Sequence, residues 1–166
     1  MDQMEFSEGG EEALAAAIRQ YGQGLLRYCH HILCDYHEAQ DAVQITFCKA
    51  WERRTRCRTG ALPAWLYRMA YTTCVDILRQ RKRWRPLPPA PEGTDYIGPE
   101  LRTALQALSP EERGLVFGRV MEGRSYEELS VIYGKSAATL RKRYERARKK
   151  LARLLTQEQA EERKAT

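Results

Sequence analysis

A cluster of prolines divides this chain of 166 residues into two parts. Five of the seven prolines, together with two glycines, lie between Arg85 and Pro99. Because proline fixes φ and has no backbone N–H to donate, such a segment neither continues a helix nor pairs in a sheet. Its composition is typical of an extended linker. The sequence therefore predicts two small folded units joined by a linker over residues 85–98.

Apolar residues in the first unit recur at steps of three and four. The pattern predicts three helices, over Glu11–Leu33, Tyr36–Arg54 and Leu62–Arg83. The polar stretch 55–61 between the second and third helices contains Gly60 and is predicted to be a loop. The alternation typical of β-strands does not occur over any useful length, so the predicted fold class is all-α.

Helix-start signals dominate the second unit. Capping boxes begin at Ser109 and Ser125, each with a glutamate three residues later. Ser136 precedes a long basic helix that should run to about Leu155. A short helix, a turn at Gly134 and this long helix form a helix-turn-helix pattern. The expected organisation is a three-helix domain over 11–84, the linker over 85–98, a four-helix domain over 99–156 and a tail over 157–166.

Positive charge is concentrated at two places in a chain of net charge +6. Residues 68–85 contain six basic side chains and one acidic one, and residues 135–153 contain nine basic and one acidic. A solvated helix usually carries mixed charges, so this imbalance favours contact with a polyanion. Nucleic acid is the first candidate and an anionic membrane surface the second.

Insertion into a membrane is not expected. A membrane helix needs roughly 20 consecutive apolar residues, and no run approaches that length. The acidic amino terminus lacks the basic start and apolar stretch of a signal peptide. A cytoplasmic location is therefore expected.

Aromatic residues are interleaved with the first basic cluster. Trp65 and Tyr71 alternate with Arg68 and Arg79 along one predicted helix. Aromatic faces stack on unpaired bases while arginines follow the phosphate backbone, a combination suited to single-stranded DNA. The alternative for Trp65 is a position in the core of the first unit.

Other kinds of site have weaker support. His30, His31, Cys34 and His37 lie within two helical turns, but a zinc site usually combines two separated ligand pairs, so no metal is expected. The five cysteines have scattered spacing and are expected to be free thiols, with Cys29 and Cys74 in the core. Since no phosphate loop, catalytic triad or paired-carboxylate site occurs, we expect neither a cofactor nor enzyme activity.

Four short motifs resemble those of the extracytoplasmic-function (ECF) subfamily of sigma-70 family sigma factors, and they occur in that family's order. They are DYHEAQDAVQ (35–44), AWLYRMA (64–70), LSPEER (108–113) and SAATLR (136–141). The resemblance covers about Leu14 to Leu155 and implies sigma regions 2 and 4. It implies promoter recognition, DNA melting and transcription initiation. The implied partners are bacterial core RNA polymerase, promoter DNA as duplex and as melted single strand, and an anti-sigma factor, with the free chain a monomer.

The resemblance also implies specific contacts. Core polymerase would be bound by Asp41, Gln44, Phe47 and Trp51. Minus-ten DNA would be bound by Arg56, Arg58, Trp65, Arg68, Tyr71, Thr72, Arg79, Arg81, Lys82 and Arg83, and the loop 55–62 would capture a flipped base. Minus-thirty-five DNA would be bound by Ser136, Ala138, Thr139, Arg141, Lys142, Glu145, Arg146, Lys149 and Lys150.

The chain departs from the family pattern at three positions. Ile45 stands where an acid is usual, and Thr72 where asparagine is common. Glu145 lies in the recognition surface, where a carboxylate can accept from a cytosine amino group.

Two other classes of protein stay open from the residues alone. A helix-turn-helix repressor or activator would bind operator DNA tightly without polymerase. A basic helical protein acting at membranes or as an interaction module would need an apolar face turned toward lipid.

Overall fold

The computed structural model describes residues 3–57, 62–84 and 97–166, and within them the secondary structure is entirely helical. The first lobe (residues 3–84) and the second lobe (residues 97–166) follow each other in the chain. The helices of the first lobe are α1 (Gln3–Glu8), α2 (Glu11–Leu33), α3 (Tyr36–Glu52), a 3-10 turn (Arg54–Arg56) and α4 (Leu62–Trp84). Those of the second lobe are α5 (Pro99–Gln106), α6 (Pro110–Val120), α7 (Tyr126–Tyr133) and α8 (Ala137–Ala165).

The predicted three-helix core of the first lobe is confirmed. Leu25, Ile32 and Leu66 are fully buried where α2, α3 and α4 meet. The corner between α2 and α3 is tight, because Cys34 ends α2 in the left-handed conformation with φ 56°. The Asp35 carboxylate then accepts from the backbone N–H of Glu38 at 2.9 Å, which begins α3.

Serine caps begin three helices of the second lobe, as predicted. Ser109 and Glu112 complete a reciprocal capping box at the start of α6. Ser125 and Ser136 accept from the backbone three residues later and begin α7 and α8. Gly134 ends α7 with φ 65°, a conformation that glycine adopts without a steric penalty. The helix-turn-helix thus follows from local sequence.

Three helical segments differ from the prediction. The second predicted helix ends at Glu52 rather than Arg54, and the 3-10 turn Arg54–Arg56 extends into the predicted loop 55–61. The six-residue α1 precedes the first predicted helix and is too short to show a period of its own. Helix α8 continues to Ala165, ten residues beyond the predicted end at Leu155, because residues 157–165 contain no glycine or proline. Most of the predicted linker lies outside the described residues. Ile97, at its end, is buried beside Leu105 and Leu108.

The two lobes pack against each other through an apolar interface. Helices α2 and α4 of the first lobe contact α6 and α7 of the second. Phe117 of α6 packs against the rings of Tyr28 and His31, with centroid distances of 6.0 and 4.5 Å. Leu115 and Leu129 belong to the same continuous buried cluster as the core of the first lobe. The structure therefore shows the lobes in a closed arrangement.

Arg113 holds the closed arrangement from within. Its Nε donates to the carbonyls of Leu105 and Leu108 at 2.6 and 3.2 Å. The same guanidinium donates to the Ile32 carbonyl of the other lobe. The side chain is buried, and burial lowers the pKa of Arg113. A buried cation needs such acceptors, so Arg113 couples the α5–α6 turn to the end of α2.

Candidate nucleic-acid interface

Helix α8 presents a basic face to solvent. Leu140 and Ala147 are buried against α6 and α7, which turns the opposite face outward. The predicted duplex-binding residues that lie exposed on α8 are Ala138, Arg141, Lys142, Arg146 and Lys149. Ser136 is also exposed and caps the helix, and its hydroxyl donates to Thr139 Oγ1 at 2.8 Å. The first turns of α8 therefore offer both hydroxyl and cationic groups at one end of the lobe.

Some charges near α8 are engaged by the protein. Glu111 pairs with both Lys135 and Arg143, which are part of the basic run. Lys150 donates to the Ala107 carbonyl at 2.7 Å, so its ammonium completes the end of α5. Glu145 pairs with Arg148 at 3.0 Å. An anion approaching α8 would thus meet Arg141, Lys142, Arg146 and Lys149 first.

Tyr126 supports the first arginine of that face. The guanidinium carbon of Arg141 lies 5.0 Å from the centroid of the Tyr126 ring, and that of Arg119 lies 4.4 Å away. Cation–π contact favours an ordered guanidinium. Arg141 is exposed but held over a ring.

A second candidate surface is a cavity of about 390 Å³ on the first lobe. Its wall on α4 is formed by Trp65, Arg68, Met69 and Thr72, whose spacing places them on one helical face. Arg53 and Arg56, from the end of α3 and the 3-10 turn, form the other wall. A small cavity with one aromatic wall and three arginines suits an unpaired base with its phosphate.

The cavity brings together four residues that the sequence predicted for minus-ten DNA, namely Arg56, Trp65, Arg68 and Thr72. Arg53 and Met69 also line it and were not predicted. Met69 lies one turn after Trp65, so helical spacing alone could have found it. Arg53 could have been found from its place in the basic run that ends α3.

Two tyrosines of α4 are covered by the second lobe. The Tyr71 ring packs edge-on against Tyr133, with centroids 4.9 Å apart. The Tyr67 hydroxyl donates to Glu122 at 2.7 Å, and the Arg124 guanidinium carbon lies 4.1 Å from its ring centroid. Burial and the Glu122 carboxylate raise the pKa of Tyr67. In the closed arrangement, Tyr71 is therefore turned toward protein.

Comparison with known proteins matches both lobes. The family model of sigma-70 region 2 matches residues 17–84, and that of sigma-70 region 4 matches residues 99–151. The ECF RNA polymerase sigma factor EcfG of Rhodopseudomonas palustris is 30% identical, with 75% of each chain covered. This chain belongs to the ECF sigma factor family.

Two further relatives describe the extent of this likeness. The ECF RNA polymerase sigma factor SigE of Mycolicibacterium smegmatis is 30% identical over 160 residues, which cover 87% of this chain. The chain spans 62% of SigE, less than two thirds of that relative. The solved structure of the sigma factor RpoE in complex with the anti-sigma factor NepR from Bartonella quintana superposes with a TM-score of 0.70 at 25% identity. It covers 86% of this chain and 96% of RpoE, so the likeness includes both lobes.

The predicted polymerase contacts of this ECF family member divide into surface and core. Asp41, Gln44 and Ile45 are exposed on the outer face of α3. Phe47 is only 4% exposed and packs in the first-lobe core. Trp51 is partly buried against Phe6. Direct contact with a partner is therefore possible at Asp41 and Gln44, while Phe47 supports the helix from inside.

The remaining predicted minus-ten residues are scattered. Arg79 is exposed and 3.9 Å from Asp76. Arg81 pairs with Glu38 and donates to the Leu33 carbonyl at 3.0 Å, so it joins α4 to the α2–α3 corner. Desolvation lowers the pKa of Arg81 despite this pairing. Arg58 lies outside the described residues, and so do the side chains of Lys82 and Arg83.

The histidine and cysteine residues of α2 are used in packing. His31 Nδ1 lies 3.0 Å from the Arg27 carbonyl, and Cys34 Sγ donates to the His31 carbonyl at 3.7 Å. Within the described ranges, no group of three or more potential ligands is arranged to hold a metal ion. Cys29 and Cys74 are buried free thiols in contact, and the pKa of Cys74 is raised by its hydrogen bond to Cys29 and by burial. None of the helices described in the structure is both long and apolar enough to cross a bilayer.

Proposed function

We propose that this chain is a sigma subunit that directs core RNA polymerase to promoters and stabilises the melted DNA there. One observation carries the proposal. Two different DNA-compatible surfaces, a basic helix face and an aromatic-basic cavity, lie on separate lobes that match sigma regions 4 and 2. One lobe would anchor duplex DNA while the other holds an unpaired strand.

The second lobe would read the minus-thirty-five element with the start of α8. A recognition helix places its first turns at base edges and its later cations near phosphates. Arg141 and Lys142 lie in the second turn of α8 and are exposed, whereas Lys149 lies two turns later. Arg141 would therefore contribute to sequence preference and Lys149 to affinity for any duplex.

The first lobe would hold a base of the melted minus-ten strand in its cavity. Trp65 offers a ring for stacking, and Arg56 and Arg68 can neutralise adjacent phosphates. Thr72 adds a hydroxyl on the same wall, although it donates to the Arg68 carbonyl at 2.7 Å. Residues 58–61 of the predicted base-capturing segment 55–62 lie outside the described residues.

The closed arrangement would have to open for this activity. Tyr71 is only partly accessible to a base while its ring packs edge-on against Tyr133. Polymerase would bind the exposed face of α3 at Asp41 and Gln44 and hold the lobes apart, with the proline-rich segment spanning them. An anti-sigma factor, the class of partner present in the RpoE complex, would keep the chain from polymerase. We further propose that the chain acts in the cytoplasm as a monomer, and that it has no catalytic activity of its own.

The test is run-off transcription with purified core polymerase and genomic fragments. Transcripts that start at defined sites only when this chain is added support the proposal. Binding of the same fragments by the chain alone is measured in parallel. If the chain alone bound them as tightly as the holoenzyme does, and no transcripts formed, it would be a conventional helix-turn-helix repressor.

A further inference from the structure

We propose that Phe6, in the amino-terminal helix α1, is a positioning residue for the cavity on the first lobe. This inference rests on the proposed function, because it assigns Phe6 to the capture of an unpaired promoter base. Phe6 does not line the cavity. It acts through the two tryptophans that support the cavity walls. Helix α1 lies outside residues 17–84 that match the region 2 family model.

Phe6 is the anchor of an otherwise exposed helix. Its side chain is fully buried, whereas Met4 on the same helix is 64% exposed. The Phe6 ring meets Trp51 and Trp65 edge-on, with centroid distances of 6.3 and 6.4 Å. A helix of six residues has little stability of its own, so α1 depends on its packing against the 3-10 turn and α2 and on the Phe6 ring against α3 and α4.

Each tryptophan supports a different wall of the cavity. Trp65 is itself part of the α4 wall. Trp51 holds the 3-10 turn, because Arg54 donates to the Trp51 carbonyl at 2.8 Å and its guanidinium carbon lies 4.1 Å from the Trp51 ring centroid. Arg56, in the same turn, lines the opposite wall. The Phe6 ring therefore fixes the spacing between the two walls.

Gly9 lets α1 fold back onto this site. A Cβ atom at Gly9 would lie 2.3 Å from the Glu5 carbonyl oxygen and 2.4 Å from Ala13 Cβ, which backbone and helix cannot accommodate without moving. A Cβ atom at the adjacent Gly10 would meet nothing within 4 Å. The two glycines thus provide a matched pair, since only the first is required by the position of α1.

Loss of the Phe6 ring should loosen base capture and leave the rest of the protein active. Trp65 would lose an edge-on aromatic neighbour, and the turn carrying Arg56 would lose its fixed distance to α4. The basic face of α8 lies on the second lobe, whereas the ring contacts of Phe6 lie within the first. Binding of the minus-thirty-five duplex should therefore stay unchanged. Core polymerase, which Trp51 is predicted to contact, is kept at saturating concentration so that DNA binding is compared in fully assembled holoenzyme.

The experiment uses holoenzyme assembled from core polymerase and the full chain. One probe is a forked DNA that carries a duplex minus-thirty-five element and a single-stranded minus-ten strand, taken from a promoter that the unaltered holoenzyme transcribes. The other probe is the blunt duplex of the same upstream sequence. Each base of the single strand is replaced in turn to measure base preference. Affinity for core polymerase and thermal melting of the free chain are measured alongside.

Phe6→Ala should raise the Kd for the forked probe about tenfold, because two edge-on aromatic contacts are lost. It should also weaken base preference at one unpaired position. Gly9→Ala should reproduce both effects, while Met4→Ala and Gly10→Ala should behave like the unaltered chain. Phe6→Leu, which keeps apolar volume without a ring, should give a smaller increase in the Kd for the forked probe. It takes the place of Phe6→Ala in the experiment if that variant does not fold.

A purely structural role would weaken the forked probe, the blunt duplex and core polymerase in parallel. The inference is overturned by that result. It is equally overturned if Phe6→Leu and Gly9→Ala bind the forked probe as tightly as their controls and with the same base preference. If the unaltered holoenzyme did not prefer the forked probe to the blunt duplex, the proposed function itself would fail.

Discussion

The residues proposed to contact DNA differ between the two lobes in how they are presented. On the second lobe, Arg141, Lys142 and Lys149 are exposed along α8 as the structure stands. On the first lobe, Tyr71 packs against Tyr133 and Arg81 pairs with Glu38. Duplex binding therefore needs no rearrangement, whereas full use of the aromatic face of α4 requires the second lobe to move away. The cavity beside Trp65 is an intermediate case, because it is formed partly by α4 and is nevertheless open in the closed arrangement.

The largest expected effect on the interface between the lobes comes from alkaline solution. Burial raises the pKa values of Tyr28, Tyr67 and Tyr133 above the ordinary value of about 10. Their contribution to stability is fully present below pH of about 10 and is lost as pH rises toward the folded-state pKa values. Each tyrosine should lower the free energy of unfolding by up to about 1.4 kcal/mol per pH unit in that window.

Denaturant unfolding over a pH series measures this slope. Tyr133→Phe should reduce the slope by the equivalent of about one proton. A slope that the substitution leaves unchanged would show that Tyr133 ionises as freely in the folded chain as in the unfolded one.

Removal of the buried arginine should have the next largest effect. Arg113→Ala leaves the carbonyls of Leu105, Leu108 and Ile32 without this donor. We expect the free energy of unfolding to fall by roughly 3 kcal/mol, since several carbonyl groups lose a charged, buried donor. Arg146→Ala, at an exposed position of α8, should change it by less than about 0.5 kcal/mol. Equal effects in thermal denaturation would contradict the difference between a structural and a DNA-facing arginine.

Two substitutions on α8 separate the recognition of base sequence from sequence-independent affinity for DNA. Arg141→Ala should change which minus-thirty-five sequences are accepted, at a cost of about 1–3 kcal/mol at one base pair. Lys149→Ala should weaken all promoters by a similar factor and reduce the salt slope by about one unit. The measurement is transcription from a promoter library by each mutant holoenzyme at two salt concentrations. The reverse pattern would mean that α8 docks differently.

A smaller effect is expected from a single hydroxyl between the lobes. Tyr67→Phe removes the hydrogen bond to Glu122, which retains Arg124 as a partner. Opening should become easier by about 1 kcal/mol, so the free chain should bind single-stranded minus-ten DNA about fivefold more tightly. Tyr126→Phe makes the same chemical change within the second lobe and is the control. If both variants bound alike, Tyr67 would not contribute to closure.

Local signals in the sequence predicted the fold well. Ser109, Ser125 and Ser136 begin helices because a serine side chain meets a backbone N–H three residues away, which depends on nothing outside the segment. The all-α class and the helix-turn-helix followed from such signals and from apolar spacing. The sequence also predicted four of the residues that line the cavity, since one helical face carries three of them.

Contacts between distant segments could not be predicted in the same way. Tyr71 and Arg81 are residue types that often contact DNA. The contact of Tyr71 with Tyr133 and the ion pair of Arg81 with Glu38 depend on tertiary packing, which periodicity does not encode. The role of Phe6 in the core could not be predicted, because a helix of six residues is too short to show a period. The burial of Arg113, which belongs to the LSPEER motif, could not be predicted, since a charged residue gives no sequence signal of burial.

The length of α8 means that a small rotation of the second lobe moves the end of this helix a long way. Its 29 residues span about 43 Å. Leu140, near its start, is buried against the other helices of the second lobe, whereas residues 159–166 are exposed. A rotation of that lobe by about 10° about Leu140 would move the carboxyl-terminal end of α8 by roughly 7 Å. A fluorophore attached near Thr166 would therefore magnify small changes of lobe orientation, and its distance to a second dye on α2 would follow opening in real time.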